Sequence, residues 1–187
     1  MKKITLLGTT ALVALTLAGC GNANKEAKTN NETAKTEKVA PAYGFKNNII
    51  NMDDVKVKIT KMQIVKPDDV DSKSRLILYY DITNKTGKEV SPMTITALID
   101  AYQDTDPNQE NKLNVGPSLK KDQALTDKQT EKIKKGKTAQ GSITFDLDNT
   151  TTPVVLEATT GAGHKIGKEK VNITKLEQIN DSESSIN

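Results

Sequence analysis

Tryptophan is absent, aromatic residues make up only 3% of the 187 residues, and there is one cysteine and one histidine. Each scarcity closes a class of function. With so few rings, stacking platforms for bases or sugars are thin. The lone His164 forms no histidine metal cluster, and no Gly-x-Ser-x-Gly elbow supplies the serine of a catalytic triad. No cofactor motif stands out either. A single cysteine makes no disulfide within the chain, so the fold stands on its core alone. Long apolar runs are scarce too: the one from Ile4 to Leu17 falls short of the roughly 20 residues that a membrane-spanning helix needs.

That run follows Lys2 and Lys3 and ends in small residues ahead of Cys20, which is the layout of an export signal. The residues Leu17-Ala18-Gly19-Cys20 resemble the lipobox of bacterial lipoproteins. The resemblance implies diacylglycerol on the Cys20 sulfur and cleavage between Gly19 and Cys20. The small side chains of Ala18 and Gly19 suit a peptidase groove. Two acyl chains, at about 0.8 kcal/mol per buried methylene, anchor stably where one is marginal. The formal charge of +3 loses Lys2 and Lys3 with the signal and falls to +1, so a pI of 8.8 does not argue for nucleic acid.

The sequence divides into residues 1–19 as signal peptide, 20–44 as lipidated cysteine and linker, 45–179 as one folded domain, and 180–187 as a frayed tail. Residues 21–42 hold little that is large and apolar besides Val39, too little to offset ordering entropy. As a flexible coil they would reach about 25 Å. Beyond them the pattern is of period two. Val55, Val57 and Ile59 alternate with lysines, as in a half-wet strand. Residues 75–84 place Leu76, Leu78, Tyr80 and Ile82 on one face and Ile77, Tyr79, Asp81 and Thr83 on the other, so this strand is central and buried on both sides near its start. Further strands are expected at 94–103, 139–147, 154–159 and 170–176. Turn residues fill most connections. The expected fold is an all-β, antiparallel sandwich of about seven strands.

Residues 104–135 break the pattern. Leu113, Val115, Leu119, Leu125 and Ile133 stand almost alone among Lys, Asp, Gln and Asn, and loops of this length are often functional or mobile. A short helix over 126–134 is conceivable, with Thr126 as N-cap and Gln129 in capping-box position.

The segments Leu78-Tyr79-Tyr80-Asp81-Ile82-Thr83-Asn84-Lys85-Thr86-Gly87, Ala101-Tyr102-Gln103-Asp104 and Ile133-Lys134-Lys135-Gly136-Lys137-Thr138, with Gly141 and Phe145, carry a resemblance to a family. Together they resemble the uncharacterised immunoglobulin-like domains of Gram-positive lipoproteins of the DUF5067 and DUF4352 type, which are MPT63-like in fold. The resemblance implies an immunoglobulin-like sandwich and an extracytoplasmic location, and no reaction. The residues make sense without it: Asn84 suits a strand-ending turn, and Gly136 suits a positive φ before the next strand.

The candidate ligand or partner loop comprises Asp104, Asp106, Asn108 and Glu110 with Lys132, Lys134 and Lys135. The acidic part begins like a calcium loop but has Gln109 where Gly belongs and Val115 where Glu belongs, so a solvated acidic turn is favoured and no metal is assigned. The lysines suit an anionic wall polymer or lipid heads, while the plainer account is a solvated loop. Tyr79 and Tyr80 are neighbours on a strand and point to opposite faces, so core packing explains them better than a ligand groove. The Asn-x-Thr triplets at Asn84, Asn149 and Asn172 fit a glycosylation pattern that an exported bacterial chain would not meet. The expectation is a lipid-anchored protein on the outer face of the cell membrane, non-catalytic, touching the membrane through Cys20 and a cell-surface protein or wall polymer through its loops, with no nucleic acid. The alternatives are a cell-wall-active enzyme, for which no recognisable acid, base or nucleophile set is present, and an accessory lipoprotein of an envelope system.

Overall fold

Strand β4 (Arg75–Asn84) has apolar residues on both faces of its first half, and a strand sends alternate side chains to opposite sides. Leu76, Leu78, Tyr80 and Ile82 enter the main core, whereas Ile77 joins Val65, Leu119 and Ile179 in a second cluster on the far face. A strand buried on both sides has to be central. In the computed structural model, which describes residues 43–67 and 73–181, β3 (Val55–Lys66) and β7 (Thr138–Asp146) flank β4 antiparallel. β2 (Ile49–Asn51) and β1 (Gly44–Lys46) continue the sheet, and β10 (Gln178–Asn180) runs parallel to the far half of β3. The second sheet runs β6 (Gln109–Lys112), β5 (Ile99–Asp106), β8 (Val154–Thr159), β9 (Lys165–Val171), all antiparallel. Val57, Ile82 and Phe145 of one sheet and Ile99, Ala101 and Leu156 of the other share one core. The fold is an all-β, immunoglobulin-like antiparallel sandwich.

Among the described residues ten strands stand where about seven are expected, and the excess has local causes. A bulge between Ile59 and Lys61 reverses the phase of β3. Val55, Val57 and Ile59 face inward before it and Ile64 after it, so the alternation looks finished at Ile59 while the strand continues to Lys66. β1 and β2 form a hairpin on Asn47 and Asn48, whose φ values of 56° and 62° are those of a tight primed turn. The strand expected over 94–103 starts only at Ile99. Pro92 opens a 3-10 turn over Pro92–Ala97, and Ser91 N donates to Thr94 Oγ1. The helix expected over 126–134 instead lies at α1 (Gln123–Asp127), and Thr126 spends its hydroxyl on Asp122 O inside it rather than capping. The strand expected over 170–176 is β9 followed by a 3-10 turn over Ile173–Lys175. The tail does not fray at Asn180: that residue pairs with Lys66, and Asp181 is buried against Arg75 at 3.0 Å.

The long segment after β6 is packed along its length. Gly116 N donates to Thr144 O and Asp146 N to Asn114 O, which gives the outer edge of β7 a short partner. Leu119 then buries in the far-face cluster, Tyr79 Oη donates to Asp122 Oδ2 at 2.8 Å, and Ile133 returns to the main core.

Where the chain passes from one sheet to the other, buried amide side chains satisfy its backbone. Asn84 is fully buried. Its Oδ1 accepts from Thr86 N and Gly87 N, and its Nδ2 donates to Lys88 O and Ile133 O at 2.8 Å each. Gln103, also fully buried, does the same at the other end: Nε2 donates to Asn149 O and Thr152 O, and Oε1 accepts from Asp148 N. Asn149 and Asn172 cap their own turns by accepting from Thr151 N and Thr174 N, so the triplets at Asn84, Asn149 and Asn172 are turn devices.

Asn84→Ala strands a buried carbonyl and two loops at once and is expected to cost about 2–4 kcal/mol in urea unfolding; a loss below about 0.5 kcal/mol would contradict the account. Gly141 lies opposite Tyr80, and a Cβ there would sit 2.4 Å from Tyr80 Oη. Gly141→Ala is expected to destabilise by about 1–3 kcal/mol in the same assay, because the ring has no slack to move.

Candidate functional site

The sequence places seven residues in one candidate loop, and the structure separates them. Asp104 and Asp106 end β5, Asn108 lies in the turn, and Glu110 is on β6, all exposed. Lys132, Lys134 and Lys135 lie beside Val90 and Asn84, at the opposite end of the sandwich, next to where β5 begins. An eight-residue strand, about 26 Å at 3.3 Å per residue, stands between the two groups. They form no common site. Asp106 Oδ1 accepts from Asn108 N at 2.7 Å and is a turn former. Asp100, on the preceding part of β5, is held by Lys112 Nζ at 2.8 Å. Among the described residues no three His, Cys, Asp or Glu side chains are placed to hold a metal ion. His164 is exposed at the β8–β9 turn, where His164 O accepts from Thr160 N. Leu17, Ala18, Gly19 and Cys20 lie outside the described residues.

The sequence reading missed a groove at the outer edge of β7. The segment 114–116 pairs with this edge only at residues 144–146 and then turns away. Thr144 O and Asp146 N point outward, so by the two-residue alternation Ser142 also presents its N–H and C=O outward, and neither has a backbone partner among the described residues. The gap beside Ser142 is a groove of about 170 Å³. Its floor is apolar, from Tyr80, Ile95 and Ile143, and its rims include Met93 and Val115. Met93 and Val115 are 41% and 57% exposed and, with Tyr43, are the large hydrophobic side chains left in solvent among the described residues. A volume this small suits one or two side chains rather than a cofactor. No periodicity in the sequence marks Met93 or Val115 as neighbours at an exposed edge: Met93 precedes an expected strand, and Val115 stands nearly alone in a polar segment.

The groove is rigidly walled. Tyr80 Oη donates to Pro92 O at 2.8 Å, and Met93 N donates to Gln129 O, which ties the 3-10 turn to the returning segment. Burial pushes the Tyr80 phenol well above its ordinary range. Burial does the same to Tyr79, assisted by its hydrogen bond to Asp122 and that carboxylate's charge. Across the outer face of the second sheet, Asp100 and Glu157 stand directly opposite each other. Lys112 and Lys165, at 2.8 and 2.9 Å, relieve that repulsion, and the hydrogen bonds raise both lysines above their ordinary value.

The family described as a domain of unknown function, DUF5067, matches residues 27–160, well over half of the chain. The chain belongs to the DUF5067 family. Among solved structures, this DUF5067 chain is similar to a candidate lipoprotein from Staphylococcus aureus, at 27% identity and a TM-score of 0.65, over 72% of this chain and 94% of that one. It is also similar to a protein from Enterococcus faecalis, at 21% identity and a TM-score of 0.54, over 74% and 99% of the two chains. The secreted protein MPT63 of Mycobacterium tuberculosis aligns at 14% identity and a TM-score of 0.44, over 70% and 99%. No curated protein matches. No helix among the described residues is long and apolar enough to cross a membrane.

Because Tyr79 and Tyr80 are harder to ionise folded than unfolded, where a phenol titrates near pH 10, their contribution is whole below that pH and is lost as pH rises above it. Stability is expected to fall above about pH 10, less steeply in Tyr79→Phe, as followed by urea unfolding and the tyrosinate absorbance. A flat profile from pH 8 to about 11 would contradict the buried, hydrogen-bonded phenols.

Proposed function

We propose that this protein is an extracytoplasmic lipoprotein, held at the outer face of the cell membrane by lipid on Cys20, and that its sandwich is a non-catalytic binding module. The Leu17-Ala18-Gly19-Cys20 motif and the likeness to a candidate staphylococcal lipoprotein, which extends over 94% of that chain, support the anchored part. The binding part is carried by one observation: two of the few large apolar side chains left in water, Met93 and Val115, flank the gap in the β7 edge. Scattered exposed hydrophobics need no explanation, but a pair framing an apolar floor beside unpaired backbone does.

The ligand that fits is an extended peptide of a surface protein. It would bond to the outward N–H and C=O of Ser142, continuing the short pairing that residues 114–116 begin, and place an apolar side chain over Ile95 and Ile143. This is strand addition to a sheet edge, in which backbone bonds give affinity and a pocket gives selectivity. Exposed edges are otherwise covered or charged in monomeric proteins, and Ser142–Ile143 is neither.

Palmitate labelling in cells is expected to mark the wild-type chain and to vanish in Cys20→Ser. A photo-crosslinking side chain at Val115 or Met93 is expected to yield one shared adduct in living cells, absent when the probe stands at Lys168 on the second sheet. Adducts equal at all three positions, or none at Val115 and Met93, would refute the groove as the contact site.

A further inference from the structure

We infer that the lysine-rich end of the sandwich is a docking surface for an anionic lipid bilayer; the inference rests on the anchored reading above, because it assigns the surface to the bilayer that the lipid of Cys20 would enter. Two loops form this end. Lys85 and Lys88 come from the turn after β4, and Lys132, Lys134, Lys135 and Lys137 from the segment that leads into β7; all six are exposed. Sequence distance hides the grouping, since more than forty residues separate the two loops. Asn84 joins them by donating to Lys88 O and to Ile133 O, and Gly136 N donates back to Asn84 O. At Gly87 a Cβ would lie only 3.3 Å from Lys135 Cβ, so the loops touch.

Lys88 and Lys132 have exposed ion-pair partners, Asp54 and Glu89, each at 3.4 Å. Lys134, Lys135 and Lys137 have no ion-pair partner among the described residues. At the opposite end stand Asp104, Asp106, Glu110 and Asp148. Six lysines against Asp53, Asp54, Glu89 and Glu131 leave this end net positive, so a negatively charged plane attracts it and repels the acidic end, which orients the molecule as well as binding it.

The direction of the chain makes a bilayer the fitting occupant. β1 begins at Gly44, paired through Asn51 of β2 with Lys56 near the start of β3, and thus at the end where β4 finishes in Asn84. Tyr43 borders a hollow with Lys88 and Val90 and is 51% exposed. The polypeptide coming from Cys20 consequently arrives at the lysine end, through residues 21–42. Even fully extended, such a segment spans no more than about 75 Å, so a domain anchored at Cys20 stays close to the lipid surface, and weak contacts suffice at that effective concentration. An aromatic residue at this end and clustered basic side chains next to the anchoring segment match the chemistry of anionic headgroups.

The test uses the mature-length chain carrying Cys20→Ser, so that no lipid contributes, and measures sedimentation with vesicles of phosphatidylglycerol and phosphatidylcholine against phosphatidylcholine alone. Binding is expected only with the anionic vesicles, lost at high salt, and weakened at least about tenfold by Lys134→Gln with Lys135→Gln and Lys137→Gln. The same three-lysine reduction at Lys120, Lys121 and Lys175 should leave it unchanged. Equal binding to both vesicles, no binding, or equal sensitivity to the two sets of substitutions overturns the inference. Soluble poly(glycerol phosphate) that binds the chain more tightly than the vesicles do assigns the surface to an anionic polymer and overturns it too. Palmitate labelling of the wild type decides the anchor separately, so a labelled chain whose unlipidated form ignores anionic vesicles sinks the docking surface and leaves the anchor standing.

Discussion

A sandwich whose chain changes sheets must bury polypeptide that belongs to neither ladder, and the backbone groups of those crossings need partners that water cannot supply. In this protein two carboxamides meet that need. Asn84 serves the passage out of β4 and the passage into β7; Gln103 serves the passage from β7 to β8. Each offers donors and an acceptor from one planar group, which no hydroxyl or carboxylate does in the same space. The two ends of the molecule are thereby defined before any loop chemistry is considered. Lysine loops close over Asn84, and acidic turns gather beyond Gln103.

That arrangement separates jobs along the molecule. The acidic hairpin at residues 104–110 is a solvated turn in which Asp106 Oδ1 is spent on the backbone of Asn108. The long segment that follows is stitched down by Leu113, Leu119 and Ile133, so its polar composition describes a covering strap. The strap covers only part of the β7 edge. The part it leaves open is where exposed Met93 and Val115 line a groove with an apolar floor. The lysine end and the β7 groove are different surfaces with different chemistry, one long-range and ionic, the other short-range and apolar with directed backbone bonds.

The central strand was legible from the residues, because a run buried on both faces leaves its mark in composition as well as period, and Asn84 and Gly136 declared their turns through side-chain chemistry and φ. The end of β3 was not legible, since the bulge between Ile59 and Lys61 changes the phase without changing the residue types. Residues 94–97 have the alternation of a strand and yet form a 3-10 turn, because Pro92 and the Thr94 hydroxyl settle the backbone locally. The short strands β1, β2, β6 and β10 carry too few side chains for periodicity to register, although Asn47-Asn48 is a hairpin signal in its own right. Of the candidate site, residue types were readable and grouping was not: seven residues near in sequence fall at two ends about 26 Å apart.

The sequence by itself determined the all-β class, the central place of β4, the turns at Asn84 and Gly136, and the motif around Cys20, because each depends on neighbours within a few positions. Tertiary structure alone decided which lysines stand together, which edge of β7 stays open, and at which end the chain from Cys20 arrives. Those facts are set by strand register and by the crossings between sheets, and register is a relation between distant segments that no local pattern encodes.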